Sequence, residues 1–176
     1  MVLETLEIWE RPFSINSMYY AQKAIKTQPA REWSYRVFEQ LSSDANLEAM
    51  ERIRNAFDPN THNFEITLTA YYPKKKLLTK KGTVSAMSID TTNWEKPLVD
   101  LVFLPKHRNS APPFGCENIG YDDKYICSMS SKKVYWDRPD FKIIVTVELK
   151  NNECLYQPLK HDLDKLPASN SDTSKL

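Results

Sequence analysis

The stretch SIDTTNWEKPLVDLVF, residues 88–103, decides the fold, because it combines a polar entrance with an amphipathic helix. Thr92 followed three residues later by Glu95 is typical of a capping box. We therefore expect a helix to begin near Thr92 or Asn93. Pro97 lacks a backbone N–H donor and disfavours helical geometry in the residue before it, so it predicts an irregular first turn.

This helix is predicted to have two different faces. At 3.6 residues per turn, Asn93, Lys96 and Asp100 lie on one side. An apolar set lies on another side and should pack inward: Trp94, Leu98, Leu101 and Val102. Asp90 comes just before the helix, in the loop that leads into it. Further along the chain, the adjacent pair Asp122-Asp123 supplies two more carboxylates.

Composition excludes several classes of protein. The chain has 176 residues and a formal net charge of +1, so a basic surface for nucleic acid has to be local. No apolar run approaches the ~18 residues of a membrane span, and no signal peptide is evident. The 3 cysteines have no Cys-x-x-Cys spacing, which favours a reduced, cytoplasmic protein without a disulfide framework or zinc site. No Gly-rich loop for a nucleotide cofactor is present.

Hydrophobic periodicity predicts an α+β fold, with a mixed sheet of about four strands and about three helices packed on it. The predicted strands are 2–9, 64–72, 125–135 and 141–149, and the earlier helices are 29–43 and 46–56. Lysine-rich residues 73–81 and proline-rich residues 104–121 are predicted to be loops. We expect one domain over 1–158 and a flexible tail over 159–176, where apolar residues become sparse.

The clustered acids suggest a divalent metal site. Mg²⁺ prefers oxygen ligands and keeps several waters, so a few carboxylates suffice. Asp90, Asp100 and the Asp122-Asp123 pair are the candidate acids, and Lys96 beside them is suited to hold a phosphate. Structural explanations remain open. Asp90 fits a cap or a solvated loop, the acid pair fits a turn after Gly120, and the lysines fit an exposed surface.

The ordered motifs resemble those of RusA-type Holliday junction resolvases, over roughly residues 3–149. The first motif is Ser14-Ile15-Asn16 with Tyr19-Tyr20, followed by the helix that Ala30-Arg31-Glu32-Trp33 opens. The second has the family pattern Asp-x-Asp-Asn-x-x-Lys-x-x-x-Asp, here residues 90–100, and is followed by Asp122-Asp123. Thr92 stands where the family has its second acid.

The resemblance implies a homodimeric crossover junction endodeoxyribonuclease that binds four-way DNA junctions in recombination, repair or phage DNA processing. Each subunit would nick one strand using Mg²⁺, with Mn²⁺ as an alternative ion. Asp90 and Asp123 would hold the metal, assisted by Asp122, and Lys96 would contact the scissile phosphate. Thr92, Asn93 and Asp100 would support this site. The expected DNA contacts are Asn16, Lys74, Lys75, Lys76, Lys80, Lys81, Lys132 and Lys133. The alternative is a junction-binding protein of the same fold with weak or no hydrolysis.

Overall fold

A computed structural model describes residues 2–19, 26–85, 91–103, 113 and 115–152. It confirms the predicted α+β class. The strands are β1 (Leu3–Ile8), β2 (His62–Pro73), β3 (Ile126–Trp136) and β4 (Lys142–Asn151). The helices are α1 (Gln28–Leu41), α2 (Asp44–Ala56), α3 (Lys74–Leu77) and α4 (Thr91–Val102), with short 3-10 turns at Ile15–Ser17 and Asp123–Tyr125. Asp90 and the predicted tail lie outside the described residues.

The four strands form one mixed sheet in the order β1-β4-β2-β3. β4 is antiparallel to both of its neighbours, whereas β3 runs parallel to β2. Parallel neighbours need a crossover connection, and here the crossover carries α3 and α4. Helix α4 therefore lies on the path that takes the chain from the end of β2 back to the start of β3.

Register is set by apolar rows that cross the sheet. Leu6 pairs with Val145, which pairs on its other side with Leu68, and all three side chains are buried. Burying a side chain of this size contributes about 1.5–3 kcal/mol. Because a one-residue slip of a strand would turn its side chains to the opposite face, this row fixes the alignment of three strands.

Helix α1 packs its predicted apolar stripe against this core. Its buried residues include Trp33, Val37, Phe38 and Leu41, as expected. The side chain of Thr27 caps the helix by accepting a hydrogen bond from the backbone N–H of Ala30 at 3.3 Å. The indole N–H of Trp33 donates to the carbonyl oxygen of Arg11 at 2.9 Å, which ties the loop after β1 to α1.

The two faces of α4 are confirmed, but its predicted capping box is wrong. Trp94, Leu98, Leu101 and Val102 are buried. The helix begins at Thr91, so Thr92 lies inside it and not at its cap. The Glu95 carboxylate accepts a hydrogen bond from the hydroxyl of Ser131 in β3. The contact with the sheet is long-range in the sequence, and the local pattern could not show it.

Two loop predictions also need correction. Residues 74–77 of the lysine-rich segment form the short helix α3, which raises the number of α-helices among the described residues to four. The C-terminal end of the proline-rich segment is not a surface loop, because Asn118 and Ile119 are fully buried. The Asn118 amide donates to the carbonyl of Leu101, and the Ile119 N–H donates to that of Val102, so this segment closes the end of α4.

No helix among the described residues is both long and apolar enough to cross a membrane.

One buried amide joins an edge strand to two helices. The Asn46 side chain in α2 accepts from the Glu7 N–H at 2.9 Å and donates to the Glu7 carbonyl at 2.8 Å. The same amide donates to the carbonyl of Gln40 at 2.9 Å. Asn46 therefore supplies the hydrogen bonds that the outer edge of β1 would otherwise lack.

Replacing this amide should destabilise the protein. We expect Asn46→Ala to lower the free energy of unfolding by about 2–3 kcal/mol, because three partly buried backbone groups lose their partner. Asn55→Ala, at an exposed position of the same helix, is the matched control and should stay within about 0.5 kcal/mol. Urea unfolding followed by circular dichroism measures both, and equal midpoints for the two variants would contradict this role of Asn46.

Candidate functional site

The polar face of α4 meets the start of β3 at a three-residue ion cluster. The Lys96 ammonium lies 2.6 Å from an Asp100 carboxylate oxygen and 2.7 Å from an Asp123 carboxylate oxygen. The first pair is the i,i+4 neighbour expected on one helix face. The second joins residues 27 positions apart in the sequence. Folding thus brings Lys96 of the motif helix together with the later acid pair.

Asp123 is positioned by the 3-10 turn that opens β3. The Asp122 side chain caps this turn by accepting from the backbone N–H of Lys124 at 3.1 Å. Tyr121 and Tyr125 flank the turn, and their rings pack edge-on against Phe57 with centroids 4.5 and 5.4 Å away. These aromatic contacts fix both ends of the turn, so the Asp123 carboxylate is held toward α4.

The charges of the cluster are coupled but partly solvated. Side-chain exposure is 54% for Lys96, 36% for Asp100 and 41% for Asp123. Partial burial disfavours the ammonium, but hydrogen bonds to the two carboxylates outweigh this and raise the pKa of Lys96. The group is therefore fully charged at neutral pH and balances the two acids.

A second cation near this cluster was missed by the sequence analysis. Burial lowers the pKa of the half-buried Lys26 ammonium, and the charge of Asp100 opposes that shift. An isolated antiparallel β-bridge joins the backbone of Lys26 to that of Tyr19, which follows the Ser14-Ile15-Asn16 motif. The sequence offers no signal for it, since an isolated lysine in a polar loop has no pattern that marks it as part of a site.

A cavity of about 330 Å³ opens beside the cluster, between α4 and β3. Lys96 and Asp123 line it with Glu95, Met129 and Cys127. The Cys127 thiol donates to the carbonyl of Phe64 at 3.2 Å, and burial is the first cause of its raised pKa. One wall is thus charged and the other is formed by the edge strand. Val99 and Ile126 also line the cavity, so its charged groups lie beside an apolar surface.

The structure describes only some of the predicted metal ligands. Asp122 and Asp123 are adjacent carboxylates, of which Asp123 lines the cavity, and carboxylate oxygens are the donors that Mg²⁺ prefers. Among the described residues, no three His, Cys, Asp or Glu side chains cluster as a metal site would require. Asp90 and the side chain of Thr92 lie outside the described part of the chain. Two acids and a lysine are therefore the part of the predicted site whose geometry is known.

The supporting residues lie around the same helix. Asn93 is half-buried one turn before Lys96, on the face that the sequence predicts. Asn16 is exposed on the 3-10 turn Ile15–Ser17, where its N–H donates to the Ser14 hydroxyl at 3.3 Å. This turn packs beside α4, so the two motifs separated in sequence are neighbours in the fold.

Most of the predicted DNA-binding lysines lie elsewhere. Lys74, Lys75 and Lys76 are exposed on α3, directly after the end of β2 at Pro73. Asp123 instead precedes β3 beside Phe64, near the start of β2. At ~3.3 Å per residue, these ends of β2 are roughly 30 Å apart.

The remaining lysines are divided between faces. Lys80 and Lys81 are exposed in the turn that follows α3. Lys132 and Lys133 are neighbours in β3, paired with Thr69 and Ala70 respectively, so they point to opposite faces of the sheet. They do not act as one basic pair.

No protein-family model matches this chain, and no curated protein shows significant similarity to it.

The ion cluster should show measurable but small coupling. A double-mutant cycle with Lys96→Met and Asp123→Asn is expected to give a coupling energy of up to about 1 kcal/mol, because exposed pairs are screened by water. The folded-state pKa of Lys96 is raised, so this stabilisation is complete below the unfolded-state pKa of 10.5 and is lost as the pH rises through the higher folded value.

Unfolding midpoints at pH 7 and above pH 10 measure this coupling. The matched cycle uses Lys96→Met with Glu51→Gln, an exposed acid of α2, and should give no coupling. A Lys96–Asp123 coupling that grew between pH 7 and the alkaline range would contradict the assigned contact.

Proposed function

We propose that this chain is a Mg²⁺-dependent endonuclease that binds and symmetrically nicks four-way DNA junctions. The observation that carries the proposal is the 2.7 Å contact between Lys96 and Asp123. The resemblance described above requires the motif helix and the later acid pair to form one site, although they are distant in the sequence. Their contact beside an open cavity supports that requirement.

Lys96 is the residue best suited to receive a phosphate. Its ammonium has three N–H donors and is more than half exposed, so it can exchange a carboxylate contact for a phosphate oxygen. In that position it would balance negative charge that develops during cleavage. Its raised pKa keeps it protonated across the physiological range.

Asp123 and Asp122 are the described residues that would hold the metal, with Asp90 as the further ligand that the resemblance implies. When bound, Mg²⁺ would supply an activated water and neutralise charge on the phosphate. The chain's own contribution is to orient the carboxylates, through the Asp122 cap and the aromatic contacts of Tyr121 and Tyr125. Asp100 would hold Lys96 in place from the next turn of α4.

The proposed assembly is a homodimer on branched DNA, in the cytoplasm. A four-way junction has two-fold symmetry, and a two-fold dimer would present one site to each of two equivalent strands. Cys116 and Cys127 are free thiols, which agrees with a reducing compartment. Because the net charge is only +1, DNA affinity would depend on local lysine clusters and fall steeply with salt.

A second candidate is a junction-binding protein that does not hydrolyse DNA. The specific observation in its favour is that Lys96 already bridges both Asp100 and Asp123. An ammonium at this point supplies the positive charge that two carboxylates otherwise seek from a metal. Thr92, where the resolvases have an acid, points the same way.

Nicking of a synthetic four-way junction with labelled strands separates these candidates. We expect paired nicks in the presence of Mg²⁺, none with EDTA, and little cleavage of linear duplex. Asp123→Asn should abolish nicking while leaving binding nearly intact, and Lys96→Met should lower the rate about 10²–10³-fold. Glu51→Gln, on α2 at the opposite edge of the sheet, should cleave like the unchanged protein.

Cleavage by Asp123→Asn at the unchanged rate would remove the proposed site. Tight, salt-dependent junction binding with no product in Mg²⁺ or Mn²⁺ would instead establish the second candidate. Light scattering of the free protein and of the complex tests the dimer, since a monomer bound to the junction would contradict symmetric nicking.

A further inference from the structure

A small polar cavity lies at the other end of β2 from Asp123. Its volume is about 140 Å³, enough for a small ion with some water. The lining residues are Arg11, Tyr72, Lys75, Lys76, Ser85 and Phe141. Among the lining residues that the structure describes, three side chains are cationic, two carry hydroxyl groups and none is acidic. Such a lining selects an anion.

Tyr72 shows that the cavity is more than a gap between surface lysines. Its side chain is 1% exposed, and its hydroxyl has no hydrogen-bond partner among the described residues. Burying an unsatisfied hydroxyl destabilises a fold, and phenylalanine would fill the same space without that cost. Tyr72 lines the cationic cavity, and a ligand that accepts the hydrogen bond of this buried hydroxyl would explain why a tyrosine is present.

The protonation state of Tyr72 suits this role. Burial raises the pKa of its hydroxyl to about 12, although the nearby Arg11 charge opposes the shift. The group is therefore a neutral O–H donor at physiological pH. The Phe141 ring packs edge-on against the Tyr72 ring at 5.4 Å between centroids, which holds the phenol in place.

Arg11 is positioned by contacts on both its backbone and its side chain. Its carbonyl accepts the Trp33 indole hydrogen bond at 2.9 Å, and its guanidinium carbon lies 5.7 Å from the centroid of the Phe141 ring. A guanidinium presents planar paired donors that match the oxygens of a phosphate. The Phe141 ring therefore contacts both donors, Arg11 and Tyr72.

A larger groove of about 660 Å³ adjoins the cavity and shares Lys75 and Ser85 with it. Lys74 and Lys80 also line this groove, so it is cationic along its length. A chain of phosphates could follow the groove and end in the smaller, more enclosed space. The groove and the small cavity thus form one elongated cationic depression that is closed at the small cavity.

We propose that the small cavity binds the terminal phosphate of a nucleic-acid strand, which continues along the lysine groove. A terminal phosphate monoester carries up to two negative charges and one strand continuation, whereas an internal diester carries one charge and two continuations. The three cations and the single adjoining groove match the monoester. Tyr72 and Arg11 bind its oxygens, and the Lys75 and Lys76 ammonium groups offset its charge.

The terminal-phosphate site extends the proposed DNA contacts of Lys75 and Lys76 but does not depend on hydrolysis. It lies at the opposite end of β2 from the ion cluster. If the terminal-phosphate site is wrong, binding measurements alone will show it. If the proposed nuclease activity is wrong, the nicking assay will show it.

Fluorescence anisotropy with single-stranded oligonucleotides of one sequence tests the site. The ends compared are 5′-phosphate, 3′-phosphate and hydroxyl only. We expect at least one phosphorylated end to bind about tenfold tighter than the hydroxyl form, and inorganic phosphate to compete weakly. Tyr72→Phe should remove most of this preference, because one charge-assisted hydrogen bond is lost.

The matched control is Tyr71→Phe, since Tyr71 is the next residue of β2 and points to the opposite face of the sheet. It should keep the preference unchanged. Without ligand, Tyr72→Phe should melt no lower than the unchanged protein and up to about 2–4 °C higher, because the unpaired hydroxyl is gone. Equal affinity for phosphorylated and hydroxyl ends, or equal loss in both tyrosine variants, would overturn the proposal. Competition by inorganic phosphate without any end preference would also overturn it.

Discussion

The parallel pairing of β3 with β2 is the constraint on which the site depends. Two neighbouring strands that run in the same direction cannot be joined by a tight turn, so the chain must return across the sheet between them. Helix α4 makes this return. Its end at Phe103 packs against Phe64 near the start of β2, with ring centroids 5.1 Å apart. The polar face of α4 is therefore delivered to the segment that begins β3, where Asp123 lies.

The ion cluster contributes little to the free energy of unfolding. Its three members are each at least a third exposed, so water screens their attraction. The apolar side of α4 and the aromatic contacts of the Tyr121–Tyr125 turn supply the positioning. The apolar and aromatic contacts hold the charged side chains in place without using their charges. The charged groups can therefore bind a ligand without loss of this positioning.

The sequence predicts local features of this fold well and long-range contacts poorly. The alternation in β2 and β4, the apolar stripe of α1 and the two faces of α4 all follow from residues close together in the chain, and all are confirmed. The predicted capping box is wrong because the helix begins at Thr91, and Glu95 instead contacts Ser131 of a distant strand. The position of Lys26 near Asp100 and the unpaired Tyr72 hydroxyl could not be predicted for the same reason. Their neighbours are distant in the sequence and come close only in the folded protein. From helical geometry, the motif spacing predicted that Lys96 and Asp100 lie on one face of the helix. That Lys96 lies near Asp123 was predicted only through the family resemblance.

The position of β4 has a consequence for how the protein is made. β4, the last of the described strands, lies inside the sheet, between β1 and β2. Leu3 pairs with Glu148, so β1 has no partner in this sheet until almost the whole described chain has been synthesised. Until then β1 can pack only against the helices α1 and α2 that follow it, and pairing across so long a stretch of sequence is expected to be slow.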